Sequence, residues 1–305
     1  MAIHVHNVGK KNEGSPYSWD SKDALLYALS VGAGALDPAR NLSFTTENSR
    51  GIEQRVLPTF AVVLGGADGS MEELGDFKLS QILHGGQGIT LHRTLPASGT
   101  VIPVSYMSAV HDKGRNAIIK LTTDLLDATT REPMASTITS MVIRGEGGFG
   151  GDAGPGETWA TPENAPDAVI TQRTTRDQAL LYRLNGDRNP LHSDPSLAKL
   201  VGFEHPILHG LCTMGFAARA VLENVADADP EAFGSFDVRF SAPVIPGDEL
   251  ETSIWKTENG AIFQVRVGES VVLDRGTFTL RGTPRQDTTQ DTTQDAVKNL
   301  AAATA

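Results

Sequence analysis

The sequence predicts an α+β protein in which two similar halves each pair a helix with a curved antiparallel sheet. Three observations support this fold class. A helical segment is repeated, since residues 24–29 read Ala-Leu-Leu-Tyr-Ala-Leu and residues 179–184 read Ala-Leu-Leu-Tyr-Arg-Leu. Each copy precedes a series of β-rich runs that turn signals separate. A stretch rich in glycine and proline, residues 145–166, lies between the two series and is the natural linker.

Each half is expected to open with a helix. Ser21 can cap a helix over Lys22–Ser30. In the second half the capping-box pattern Thr175-Arg-Asp-Gln178 precedes a helix that Gly186 ends. The polar residues 1–15 are expected to be loosely held.

Two groups of β-rich runs predict two antiparallel meanders that join into one extended sheet. Asn259-Gly260 is a strong hairpin signal within the second group. The expected strands cover residues 89–92, 101–106, 117–126 and 136–143 in the first half, and 236–240, 250–255, 262–267 and 271–280 in the second.

A long apolar helix over Gly210–Asn224 is expected at the centre of the second half, because it is apolar nearly all round. Its first-half counterpart is the shorter apolar run Leu57–Leu64, which could be a helix or a strand. The Leu-His-Gly sequences at 83–85 and 208–210 look alike, but their spacing disagrees with the other repeats. We therefore expect them to be unrelated in structure. Residues 285–305 repeat Asp-Thr-Thr-Gln and predict a disordered tail.

Composition limits the partners and the compartment. The 305 residues carry 26 basic and 37 acidic side chains, a formal charge of −11, so neither a nucleic-acid nor an anionic-membrane partner is expected. Cys212 is the one cysteine, so no intrachain disulfide can form, which suits a reducing compartment. No secretory signal, membrane-length apolar run or C-terminal Ser-Lys-Leu is present. We expect a soluble cytoplasmic protein.

The chemistry is concentrated between residues 187 and 192. This segment holds the carboxylate of Asp187, the amide of Asn189 and the imidazole of His192, and a helix is expected to start soon afterwards at Gly210. Taken singly, Asp187 and His192 would more often be a turn residue and a surface histidine. Together, an acid, a base and a helix N-terminus can activate water beside a polarised carbonyl. The combination indicates a catalytic loop.

These residues belong to a longer pattern. The run Tyr182-Arg-Leu-Asn-Gly-Asp-Arg-Asn-Pro-Leu-His-Ser-Asp-Pro195, followed by Pro206-Ile-Leu-His-Gly210, closely resembles the signature of the type 2 (R-specific) 2-enoyl-CoA hydratases, the MaoC-like group with the hot-dog fold. The resemblance covers roughly residues 15–283. The first-half motifs that carry it are Leu57–Phe60, Leu83–Gln87, Asp112–Gly114 and Gly145–Gly151.

The resemblance implies a tandem (double) hot-dog fold, with a long sheet wrapped around a central helix in the C-terminal half and a shortened helix in the N-terminal half. Residues 1–150 would form a substrate-binding, non-catalytic domain, 151–170 a linker, 171–284 the catalytic domain and 285–305 the tail. Where the second half has the catalytic loop, the first half reads Val31-Gly-Ala-Gly34. One active site per chain is therefore expected. The shortened helix would leave room for a bulky acyl group.

The resemblance also assigns roles. Asp187 and His192 would flank a water, Asn189 would orient the pair or the water, and the Gly210 N–H would stabilise the thioester oxyanion. The implied reaction is the reversible syn hydration of a trans-2-enoyl-CoA to a (3R)-3-hydroxyacyl-CoA in fatty-acid or sterol side-chain β-oxidation. The residues expected to bind the acyl-CoA substrate are His84, Gly85, Lys113, Arg188, Pro190, Leu191 and Phe240.

No metal or redox cofactor is expected, because His192, Asp194 and His209 lack a recognised metal-ligand spacing. His209 is more often a core histidine than a ligand. Two alternatives stay open: a 3-hydroxyacyl-ACP dehydratase of fatty-acid or polyketide synthesis, and a non-catalytic acyl-thioester-binding subunit. The unpaired strand edges of a hot-dog sheet favour a homodimer.

Overall fold

One antiparallel sheet organises the molecule. The structure is a computed structural model that describes residues 2–65, 71–156 and 159–282. Within these ranges eleven strands form a single sheet. The strands are β1 Asn12–Glu13, β2 Tyr17–Trp19, β3 Ile82–Leu91, β4 Gly99–Lys113, β5 Asn116–Asp127, β6 Pro133–Ile143, β7 Ala168–Arg173, β8 Phe233–Phe240, β9 Glu249–Thr257, β10 Gly260–Val267 and β11 Ser270–Leu280.

The helices are short, with two exceptions. The α-helices are α1 Ser21–Ser30, α2 Leu42–Thr45, α3 Met71–Leu74, α4 Gln178–Tyr182, α5 Pro195–Leu200 and α6 Gly210–Val225. Turns of 3₁₀-helix cover Val5–Asn7, Pro58–Val63, Leu79–Gln81, Arg183–Asn185, Pro190–His192 and Pro230–Ala232. No described helix is both long enough and apolar enough to cross a membrane.

The order of the strands shows the internal duplication. The first half contributes β4-β5-β6-β3 and the second contributes β8-β11-β10-β9, so the two groups mirror each other about the β3–β8 junction. At this junction Gly88 pairs with Asp237 and Ile89 with Phe236. The prediction that the halves join into one extended sheet is confirmed, and so is the α+β double hot-dog fold.

Helix α6 lies at the centre of the core. All residues from Cys212 to Leu222 are buried, as the apolar sequence of this helix predicts. The first half packs directly on it: a Cβ on Gly215 would lie 2.4 Å from the Val31 side chain, and one on Gly32 would lie 2.3 Å from the Phe216 ring. Residues 31–34, which stand where the second half has its expected catalytic loop, therefore serve as a packing surface for α6.

The first-half counterpart of α6 is the 3₁₀-helix Pro58–Val63, which confirms a shortened helix. Phe60 and Ala61 of this segment are buried in the main apolar core. The Leu-His-Gly sequence at 83–85 lies instead in strand β3, so the two similar sequences occupy different structural positions.

The N-terminal segment is ordered, which corrects the expectation that residues 1–15 are loose. Ile3 bridges to Gly75, and the His4 N–H donates to the Leu74 carbonyl at 2.9 Å. Ile3 and Leu74 join a second apolar cluster on the first-half sheet with Met107, Ala117, Ile119, Met141 and Ile143. The N-terminal segment therefore packs on the first-half sheet through this cluster.

Two boundaries differ from the sequence expectations. Helix α1 is capped by Asp20 rather than Ser21: the Asp20 carboxylate accepts from the Asp23 N–H at 3.2 Å, and the Asp23 carboxylate accepts from the Asp20 N–H at 3.0 Å. Strand β7 begins at Ala168, inside the expected linker 151–170, and pairs with β9. The expected tail 285–305 lies outside the described residues.

The glycine-rich part of the linker is anchored to the β4–β5 hairpin by one carboxylate. Asp112 Oδ1 accepts from the N–H groups of Gly114 and Gly148, each at 2.8 Å. Asp112 Oδ2 accepts from the Gly150 N–H at 2.7 Å. These backbone donors lower the pKa of Asp112. The glycine-rich run is therefore a nest for an internal carboxylate, in keeping with its lack of a nucleotide-binding pattern.

Candidate active site

The loop after α4 is built by short-range hydrogen bonds. The Asn189 N–H donates to Asp187 Oδ1 at 3.1 Å, and the Leu191 N–H donates to Asn189 Oδ1 at 3.0 Å. Asn189 thereby caps the 3₁₀-turn Pro190–His192 that carries the imidazole. Its carbonyl oxygen is used for the turn, so the structure gives Asn189 a positioning contact within the loop.

A backbone carbonyl sets the tautomer of His192. Nδ1 lies 2.8 Å from the carbonyl oxygen of Ile207. Because a carbonyl only accepts, Nδ1 carries the proton and Nε2 keeps its lone pair. Burial lowers the pKa of His192, against the opposing effects of the Ile207 carbonyl and Asp187. The ring is therefore a neutral base at neutral pH.

Asp187 and His192 converge, together with His209. One carboxylate oxygen and one nitrogen of each ring all lie within 4.8 Å of one another. A water that hydrogen-bonds to two groups at about 2.8 Å from each can bridge such a gap. The geometry suits a metal poorly, because the two imidazole rings are stacked, with centroids 3.7 Å apart and planes at 26°. Nearly parallel rings cannot both direct an in-plane lone pair at one ion about 2 Å away.

Gly210 is the first residue of α6, where the helix leaves its N–H groups without intrahelical acceptors. The ring of Phe240 packs on it: a Cβ on Gly210 would lie 3.1 Å from two carbons of that ring. Glycine therefore keeps the approach to this N–H open, between the helix start and the end of β8.

His84, from the first half, lies beside the same Phe240 ring. Its ring meets the Phe240 ring edge to face, with centroids 4.8 Å apart. His84 Nε2 donates to Gln87 Oε1 at 3.0 Å, and the Thr139 hydroxyl donates to the same oxygen at 3.0 Å. Gln87 therefore orients His84, a contact that sequence reasoning missed. The only available signal was a polar residue inside an otherwise apolar and glycine-rich strand.

The other expected substrate-binding residues lie on the loop, in β3 and at the β4–β5 turn. Gly85 lies at a bulge in β3, where a Cβ would be 2.9 Å from Val142. Arg188 and Pro190 are exposed on the loop, and Leu191 is half-buried. Lys113 is exposed at the β4–β5 turn, at the same end of the sheet as His84, but β5 and β6 lie between them. Lys113 is therefore peripheral to the converged groups.

A double hot-dog sheet, with a carboxylate, an imidazole and a helix N-terminus brought together in its second half, defines the class of protein. The second half, residues 157–275, matches the family model described as MaoC like domain. Residues 17–145 match the model of the MFE-2 hydratase 2 N-terminal domain. The chain belongs to the MaoC-like dehydratase family, in the two-domain form typified by type 2 enoyl-CoA hydratases.

Some of its relatives have nearly the same extent, whereas in the peroxisomal multifunctional enzyme type 2 of Mus musculus the match covers 37% of a longer chain. The chain is 46% identical to the 3-hydroxyacyl-thioester dehydratase Y of Mycobacterium tuberculosis, over 90% of this chain and 98% of that one. It is 39% identical to the probable enoyl-CoA hydratase 2 of Dictyostelium discoideum, over 90% and 96%. The crystal structure of a MaoC-like dehydratase from Phytophthora capsici superposes with a TM-score of 0.80 at 30% identity, over 91% of this chain and 98% of that one.

Proposed function

We propose that this protein is an enoyl-CoA hydratase that adds water to a trans-2-enoyl-CoA to form a (3R)-3-hydroxyacyl-CoA, and that it works in β-oxidation. The observation that carries this proposal is the convergence of the Asp187 carboxylate and a neutral His192 within 4.8 Å beside a helix N-terminus. The names of two relatives support it, since one is a probable enoyl-CoA hydratase and the other a thioester dehydratase.

The proposed reaction balances with one water. Water held between Asp187 and His192 Nε2 gives a proton to this pair while its oxygen bonds to C3 of the enoyl group. The C2–C3 π electrons move towards the thioester, and the pair then returns a proton to C2. Because both side chains lie on one loop, the oxygen and the proton reach the same face of the double bond. The addition is therefore syn, and reversal gives dehydration.

Gly210 is proposed to hold the thioester oxygen. Negative charge develops on this oxygen as C3 is attacked, and a free N–H at a helix N-terminus stabilises an anion. One preorganised donor of this kind contributes ~3 kcal/mol to lowering the barrier. The packing of Phe240 on Gly210 gives the thioester an apolar wall at the same point.

The CoA portion is proposed to run from this centre towards exposed cations. CoA carries several phosphate charges, whereas the whole chain has a formal charge of −11, so local cations must meet them. Arg188 on the catalytic loop and Lys113 on the β4–β5 turn are exposed and suited to this contact.

The test is an ultraviolet assay of enoyl absorbance with short, long and bulky enoyl-CoA substrates. The variant Asp187→Asn keeps the shape of the side chain but removes the carboxylate. We expect its turnover to fall by at least ~10²-fold, the scale of one acid/base group. Asp177→Asn is the matched control, because Asp177 is exposed and its side chain makes no capping bond on α4. Near-normal turnover of Asp187→Asn would refute the assignment.

The same assay separates the alternatives. Higher activity with enoyl-ACP than with enoyl-CoA would favour a carrier-protein dehydratase. Binding of enoyl-CoA without hydration would favour a non-catalytic subunit. The homodimer and the cytoplasmic location stay predictions, and light scattering coupled to size-exclusion chromatography tests the first of them.

A further inference from the structure

His209 contacts each part of the proposed machinery, yet that mechanism gives it no role. It directly precedes Gly210 and is 1% exposed. Its ring stacks on His192 with centroids 3.7 Å apart, and it also contacts the tilted ring of Tyr182 with centroids 4.9 Å apart. Its Nε2 lies 3.3 Å from the backbone carbonyl oxygen of Asp187.

The hydrogen bond to the Asp187 carbonyl defines the tautomer of His209. The Asp187 carbonyl only accepts, so Nε2 carries the proton and Nδ1 keeps a lone pair. Nδ1 is buried and has no hydrogen-bond partner among the described residues. A buried polar atom without a partner is costly, and a phenylalanine of similar shape would avoid that cost. The position therefore holds an imidazole where packing alone would favour an apolar ring.

We propose that His209 is a positioning residue, which fastens the Asp187 loop and the His192 ring to the start of α6 so that the carboxylate, the imidazole and the Gly210 N–H face one substrate. This inference rests on the proposed function. The N–H of His209 holds the loop backbone at Asp187. Its ring covers one face of His192 and keeps water from that face.

The surroundings of His209 support this role. The titratable or charged groups that face it are Asp187 and His192 on the loop, Tyr182 on α4 and Arg183 in the turn after it. Burial and the neighbouring His192 lower the pKa of His209, so it stays neutral. Stacking on a neutral ring leaves His192 free to gain a proton during turnover without meeting a fixed positive charge.

Two substitutions separate positioning from space filling. His209→Phe keeps the ring and removes the N–H, whereas His209→Gln places an amide N–H near the position of Nε2. We expect His209→Phe to lower kcat by ~10- to 100-fold, the scale of one acid/base contribution lost through misplacement. Its KM and its melting temperature should stay close to those of the wild type. His209→Gln should recover most of kcat, and His92→Gln, an exposed histidine outside the site, is the control.

Histidine NMR supplies a readout that does not depend on turnover. His209→Ala uncovers one face of His192, so we expect the His192 titration midpoint to rise towards its ordinary value, whereas in His209→Phe it should stay in place. Wild-type kcat in His209→Phe, or an unmoved His192 midpoint in His209→Ala, would overturn the proposal. A wild-type chain that hydrates no enoyl thioester but shows the expected NMR shifts would reject the proposed function and keep the positioning contact.

Discussion

At the scale of single residues, His192 shows how one backbone contact prepares a base. The Ile207 carbonyl accepts a hydrogen bond from the Nδ1–H group, and this leaves the lone pair of Nε2 available for chemistry. The same carbonyl precedes Leu208, whose N–H donates to Val244 at 2.7 Å. The segment that leads into α6 thus holds the His192 ring through the Ile207 carbonyl and is itself held to Val244.

The pH dependence of the reaction should reflect the burial of His192. Neutral His192 is the active form in the proposed mechanism, and burial lowers its pKa from the ordinary value of about 6.5. We therefore expect kcat/KM to hold its plateau as the pH falls through 6.5 and to decline only at more acidic pH. A profile of kcat/KM, which reports the free enzyme, measures this. An acidic limb centred at or above 6.5 would contradict it.

Gly210 should tolerate no side chain. In Gly210→Ala the new Cβ lies 3.1 Å from the Phe240 ring and beside the N–H that is proposed to bind the thioester oxygen. We expect kcat/KM to fall by about 10²-fold, the scale of losing one oxyanion donor. The melting temperature of Gly210→Ala separates this loss of activity from any loss of folding. Gly156→Ala, with no atom within 4 Å of its new Cβ, is the control. Unchanged kcat/KM in Gly210→Ala would remove the oxyanion role.

At the scale of elements, the first half buries part of the surface of α6. Arg219 is buried on α6, and its Nε donates to the Val31 carbonyl at 3.4 Å. Its guanidinium also pairs with Glu223 at 2.9 Å, and Glu223 accepts from Asn41 at 3.1 Å. The segment after α1 is thus held to α6 by both polar contacts and close packing.

A substitution at Gly32 should measure this packing. Gly32 has a φ of +81°, and a Cβ there would lie 2.3 Å from the Phe216 ring. We expect Gly32→Ala to lower the free energy of unfolding by about 2–4 kcal/mol, through overpacking of about 1–3 and the left-handed backbone of about 1. Urea unfolding measures the change.

Gly34→Ala is the matched control for Gly32→Ala. Gly34 has a φ of +72°, but the nearest atom to its Cβ is 3.5 Å away, an ordinary contact. Gly34→Ala should lower the free energy of unfolding only by the cost of the left-handed backbone, about 1 kcal/mol. Equal losses in the two variants would show that contact with Phe216 contributes nothing.

At the scale of the whole molecule, the two halves share one core. The main apolar cluster runs from Trp19 and Phe60 in the first half to Phe216 and Phe263 in the second. The sheet is continuous across β3 and β8. A Cβ on Gly86 would lie 2.8 Å from the Val238 carbonyl oxygen, so glycine permits the close approach of the two strands.

The halves should therefore unfold together. Trp19 reports on the first half and Trp255 on the second, and both are buried. In two variants that each keep one of these tryptophans, with the others changed to phenylalanine, we expect coincident urea midpoints, as in a two-state transition. Far-ultraviolet circular dichroism of the intact chain gives the reference midpoint. A Trp19 signal that is lost at lower urea would show an independent first half.

The sequence by itself determined what is local along the chain. The acid, the amide and the base lie within one loop, so the sequence alone placed them close together, whereas their expected roles came from the family resemblance. An apolar helix such as α6 has to be buried, and turn residues mark where strands end. The neighbouring residues Ser21 and Asp20 are both good caps, and only backbone geometry decided in favour of Asp20.

Tertiary structure decided every contact between distant residues. His84 reaches Phe240 because β3 pairs with β8 in one register, and a shift of one residue would turn His84 to the other face. The N-terminal segment docks on the first-half sheet because Ile3 joins an apolar cluster with Met107 and Ile119, residues distant in sequence. His209 meets His192 only after the chain between them has folded back. Such contacts depend on packing and pairing across the whole sheet, which no local pattern encodes.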